Sequence, residues 1–127
     1  MRIFLTFIIS LIATLGIEGI CAFALAGVFY HRSEANCGKC VLLLLLVNLL
    51  TNPAAVCIHL LCARFLVGVH VLVWQIPIEV CVIGVEAAIY WKFSKLDGYA
   101  LRHPVWMSVI LNVVSYTFGE ILNAYVW

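Results

Sequence analysis

The chain holds 127 residues, 66% of them hydrophobic and 10% charged, with seven basic against six acidic side chains. A mean hydropathy of +1.17 excludes a soluble domain of this size, because small domains leave too much surface in water to hide so much apolar area. The near-balance of charge excludes a basic nucleic-acid face, and no polar stretch is long enough to form a second domain.

Four apolar stretches reach the roughly 20 residues that a helix needs to cross a bilayer core. They fall at 3–30, 40–62, 71–93 and 105–127. The expected fold class is an all-α integral membrane protein: one domain over 1–127, four transmembrane helices in an antiparallel bundle, and a polar Glu/Asn interior.

The first stretch opens with Met1-Arg2 before IFLTFIISLIATLG, and Ala22-Phe23-Ala24 resembles a signal-peptide cleavage site. Glu18 interrupts the apolar region, so the segment is read as a retained span. Thr6, Ser10, Thr14 and Glu18 recur along it every four residues, continuing to Cys21. After it comes Cys37-Gly38-Lys39-Cys40. A single C-x-x-C is half of a zinc site at best, with His31 the nearest further ligand. Cys37 and Cys40 are therefore read first as unpaired thiols and only second as a redox pair or metal ligands. Cys21, Cys57, Cys62 and Cys81 are read as small apolar residues within or beside spans.

The second stretch carries NLLTNPAAVCIH over 48–59. Asn48, Asn52, Ala55 and His59 follow helical spacing, and Pro53 offers no N–H to the carbonyl of Leu49. Pro53 also disfavours helix at Asn52. In the third stretch Gln75, Glu79, Glu86 and Tyr90 share a face, and Pro77 frees the carbonyl of Val73. Pro53 and Pro77 are expected to break their helices, leaving carbonyls near carboxylates as in the broken helices of transporters. The fourth stretch carries Ser108, Asn112, Tyr116, Glu120 and Asn123 at steps of four and three.

Each span thus has one polar face, which lipid cannot satisfy. Levelled at about 1.5 Å per residue, Glu18, Asn48, Glu86 and Asn112 fall in one layer. Asn52, Glu79, Glu120 and Asn123 fall in a second layer nearer the outer face, with His59 and Gln75 toward the outside. No Lys or Arg in any span can neutralise the four glutamates. A lone carboxylate at mid-membrane costs several kcal/mol, so these groups must be protonated, share protons or hold a cation. Helix-to-helix bonding through protonated Glu and Asn is the bland alternative. The ion- or proton-binding candidates are Glu18, Glu79, Glu86, Glu120, Asn48, Asn52, Asn112 and Asn123. His59 is read as a hydrogen-bonded wall residue and His70 as a loop residue; neither has an evident Ser or Cys partner. Enzymatic chemistry is not favoured and no cofactor is expected.

Trp74 and Trp127 lie at one level and Trp91 and Trp106 at the other, as headgroup anchors do. Arg32, Lys39, Lys92, Lys95 and Arg102 flank one side and Arg2 and Arg64 the other. The positive-inside rule then puts both termini outside the membrane.

The Asn-Leu-Leu-Thr-Asn-Pro run at 48–53, followed by a span with two Glu seven apart, resembles small four-span proteins of bacterial inner membranes. That resemblance implies the four-span fold and no particular activity. The chain is also similar to the small multidrug-resistance exporters in span number and in a first-span Glu matching Glu18. It departs from them in lacking an aromatic substrate box, in its three further Glu and in its charge bias. The paired Glu-Glu and His-bearing spans of CAAX-type intramembrane proteases are missing.

Two functions are carried forward. One is a small transporter or channel-like protein handling protons, a cation or a small cationic solute, with the bilayer and a second copy as partners. The other is an accessory subunit of a larger membrane complex, similar to the small subunits of proton-pumping respiratory machines.

Overall fold

The computed structural model describes residues 2–30 and 36–126, with side chains at 8, 9, 11–30 and 36–121. Among them lie five helices and no strand: α1 (Arg2–Ala24), α2 (Ala26–Phe29), α3 (Cys37–Phe65), α4 (Leu72–Phe93) and α5 (Pro104–Val126). The regular structure of the described residues is all-helical. Two helices, α3 and α4, are long and apolar enough to cross a membrane.

Local chemistry sets the helix ends. Asn36, in extended conformation, caps α3 by accepting from the Lys39 backbone N–H at 3.1 Å, the usual role of Asn at such a position. Pro104 opens α5, where its missing N–H has no helical partner to lose. Gly68, at φ +90°, lies in the turn between α3 and α4. The stretch 3–30, expected as one span, is divided at Leu25 (φ −97°, ψ 17°). Leu25 accepts from Val28 at 2.8 Å and from Phe29 at 3.1 Å, which tightens the turn and carries Phe29 into full burial.

The expected breaks at Pro53 and Pro77 do not occur: α3 and α4 run through them. Each proline withholds one bond from the preceding turn, but the bonds on either side close, as membrane helices commonly allow. Asn52 accordingly stays helical.

Helix α1 packs on α3 and α5, and α4 packs on the same two. The long helices therefore form a ring, with α1 and α4 on one diagonal. The connections at 66–71 and 94–103 are short, so α3, α4 and α5 run antiparallel in turn. The second connection folds back on the start of α3 and the end of α2. Asn36 N–H donates to Gly98 O and Arg102 N–H to Phe29 O, both at 2.7 Å. Tyr30 and Leu101 form an isolated antiparallel bridge. Lys39 Nζ donates to Asp97 O at 3.2 Å and Cys40 Sγ to Tyr99 O at 3.4 Å.

Beneath this clasp sits the apolar core, centred on Phe29, Leu44, Tyr90, Leu101, Met107 and Leu111. A buried polar layer follows. Beyond Thr51 on α3 and Asn112 on α5, no described side chain of either helix is buried.

Candidate functional site

The polar layer lies one or two helical turns past the apolar core. Glu18 on α1 and Glu86 on α4 are each 1% exposed, and Asn48, Thr51, Ser108 and Asn112 are buried with them. These residues sit opposite one another because α1 and α4 share the diagonal, with α3 and α5 between them.

Asn48 on α3 donates from Nδ2 to Glu18 Oε2 at 2.6 Å and to the Leu44 carbonyl of its own helix at 3.1 Å. Asn112 on α5 repeats the arrangement, donating from Nδ2 to Glu86 Oε2 and to its own Ser108 carbonyl at 2.9 Å. Each amide is pinned by the carbonyl four residues back and aims its second hydrogen at a carboxyl group. Thr51 Oγ1 lies 2.8 Å from Glu86 Oε1 and 3.0 Å from the Val47 carbonyl. One turn of α3 thus serves both glutamates, Asn48 on one side and Thr51 on the other. Asn52 extends the network by donating to Asn48 Oδ1 at 3.3 Å.

No Lys, Arg or His is buried among the described residues, so the two carboxyls face polar neutral groups alone. Ser108 Oγ donates to Ile83 O at 2.9 Å, tying α5 to α4 at this level. Tyr90, fully buried one turn after Glu86, has a hydroxyl without a hydrogen-bond partner.

The other candidates lie apart. Glu79 is half-buried and Glu120 is exposed. Near them Gln75 Nε2 donates to Tyr116 OH at 3.2 Å, joining α4 to α5 in the open half. The Asn123 side chain lies outside the described ones. His59 is half-buried and meets Trp74 edge-to-face, at 4.4 Å between ring centres. Pro77 helps line an apolar cavity of about 340 Å³ between α3 and α4, together with Leu50, Thr51, Ala54, Cys81 and Val85. Pro53 lies on the same stretch of α3, half-buried.

Cys37 is exposed and Cys40 turns inward to the Tyr99 carbonyl, while His31 lies outside the described residues. Among the described residues no three metal-ligating side chains cluster.

Thr51 and the role of Tyr90 go beyond the residues singled out in the sequence. Thr51 had a signal: it stands three residues after Asn48 and so on the same helix face. No family model, curated protein or solved structure matches the chain.

Proposed function

We propose that the protein is a four-span membrane protein that moves protons or a small cation through the Glu18–Glu86 layer. Both termini then lie outside, and the clasp formed by 29–30, 36–40 and 94–102 faces the cytoplasm. The observation that carries this reading is the pair of carboxyls at 1% exposure with no buried base beside them among the described residues. A stability role alone is served by one Glu–Asn bond between helices. Two such units, served by one turn of α3, make a site that exchanges charge. The open half, with Asn52, Glu79 and the Gln75–Tyr116 pair, supplies polar groups leading away from it.

Purified protein in liposomes tests the proposal. An imposed pH gradient, with and without sodium or potassium, is expected to drive flux in the wild type. Glu18→Gln and Glu86→Gln should fold yet lose that flux. Gln is tolerated at position 86 because its carbonyl accepts from Asn112 while its NH₂ donates to Thr51, which then donates to Val47 O. Wild-type liposomes as tight as empty ones would refute transport. Recovery of the detergent-solubilised protein in a heteromeric particle would then favour the accessory-subunit reading.

A further inference from the structure

Which species the layer holds can be read from its hydrogen-bond inventory. The Leu44 and Ser108 carbonyls only accept, so the ends of Asn48 and Asn112 bonded to them are the NH₂ ends. Both hydrogens of each amide are thereby committed, one to a backbone carbonyl and one to a carboxyl. A dehydrated alkali cation needs acceptor oxygens in place of its water shell. This layer turns N–H donors toward its carboxylates, an arrangement that holds carboxylate charge and repels a bare cation.

Thr51 supplies the second observation. Its hydroxyl has one hydrogen and two acceptors within reach, Val47 O at 3.0 Å and Glu86 Oε1 at 2.8 Å. When Glu86 is ionised, Thr51 donates to it. When Glu86 is protonated, it donates to Thr51, and Thr51 donates to Val47 O. Rotation of one hydroxyl therefore accommodates both protonation states with the heavy atoms in place.

Tyr90 supplies the third. Helical side chains lean toward the helix N-terminus, so its ring lies over the turn of Glu86. Its hydroxyl is buried, unpartnered, and within electrostatic reach of both Glu86 and Glu18. A buried hydroxyl left unmade costs about 1–3 kcal/mol, and a small polar ligand removes that cost.

We infer that Glu18, Glu86 and Tyr90 together hold one proton and one water molecule. Glu86 accepts from two side chains, Asn112 and Thr51, and is the ionised member; Glu18 accepts from Asn48 and carries the proton at rest. The water bonds the Tyr90 hydroxyl. In transfer the Glu18 O–H bond breaks as the water takes that proton and passes one of its own to Glu86, so the water is regenerated. Among the described residues the remaining titratable groups around the layer are Cys21 beside Glu18, Glu79 beyond Glu86 and Tyr30 near Tyr90. At this level α3 and α5 present only Asn, Thr and Ser among the described residues. The inference names the species for the site proposed above, but it stands or falls without transport.

Infrared difference spectroscopy on the protein in liposomes, titrated in sodium- and potassium-free buffer, tests it. A protonated-carboxyl band is expected at neutral pH in the wild type, moving in D₂O and unchanged by sodium or potassium chloride. Glu18→Gln should abolish it, while Glu86→Gln, Glu79→Gln and Glu120→Gln retain it. Tyr90→Phe should raise the pH at which it disappears, because the ionised Glu18 loses its bridged donor. No such band in the wild type, or one that sodium or potassium removes at constant pH, overturns the inference. Loss in Glu86→Gln with retention in Glu18→Gln overturns the placing of the proton, and an unmoved midpoint in Tyr90→Phe overturns the water bridge. A band without flux would end the transport proposal and leave the proton site. Cation flux without a band would do the reverse.

Discussion

The two halves of the bundle are built differently. In the half toward the clasp, Phe29, Leu43, Leu44, Val47, Leu101, Met107 and Leu111 are all buried, and the backbone of 94–102 is tied to 29–30 and 36–40. In the other half, Trp74 is the one buried side chain among those described, and an apolar cavity opens between α3 and α4. The connection at 66–71 joins only α3 to α4 there. Stability is thereby concentrated at one end, and the carboxyl layer lies on the border. Regions with few buried contacts open at lower cost than packed ones, so motion near the layer should come from the open side.

The largest expected contrast compares apolar side chains at the two ends. Phe29→Ala removes a fully buried ring from the packed half and should cost about 3–5 kcal/mol. Phe65→Ala removes one that is 77% exposed, and should change stability by no more than about 0.5 kcal/mol. Thermal unfolding of both variants in the same detergent measures this. Similar losses would mean that the open half is packed in the working protein, as by a second copy.

A smaller contrast lies within the polar residues. Asn48→Leu strips Glu18 of its amide donor inside a buried layer and should cost about 1–3 kcal/mol. Asn52→Leu breaks one longer bond at the edge of the open half and should cost about 0.6 kcal/mol, the average for membrane hydrogen bonds. Equal costs would erase the border between the halves.

Much of this layer is legible from helical spacing and charge. Four polar residues on four apolar stretches, levelled by helix rise, are Glu18, Asn48, Glu86 and Asn112, which the hydrogen bonds join in two pairs, Glu18 with Asn48 and Glu86 with Asn112. Glu120 shows why the same reasoning thins out along a stripe. Each step of four residues overshoots a full turn by about 40°, so two steps from Asn112 carry Glu120 about 80° round α5, and it emerges exposed. Glu79, seven residues from Glu86, drifts only about 20° and stays half-buried. The clasp has no periodic signal at all. It depends on the meeting of 36–40 with 97–101, far apart in sequence, and on backbone bonds that carry no residue signature apart from the glycine at 98. The division at Leu25 is equally silent, since Leu is at home in an unbroken helix.

The finest contrast uses two glycines with nearly the same backbone angle. Gly68 (φ +90°) lies in the open half's connection and Gly98 (φ +88°) in the clasp. Alanine at either must take a left-handed conformation, costing about 1–2 kcal/mol. A Cβ at Gly68 meets nothing within 4 Å, whereas at Gly98 it would stand 3.1 Å from Lys39 Cδ and Nζ. Lys39 is long and can move aside, so the added cost is chiefly its bond to the Asp97 carbonyl, about 0.5–1.5 kcal/mol. Gly98→Ala should therefore exceed Gly68→Ala by that margin. The excess should vanish in a Lys39→Ala background, where the neighbour is gone. A margin that persists there would show that backbone crowding, not the lysine, sets the clasp. No margin in either background would mean that the bond from Lys39 to the Asp97 carbonyl contributes nothing to the clasp.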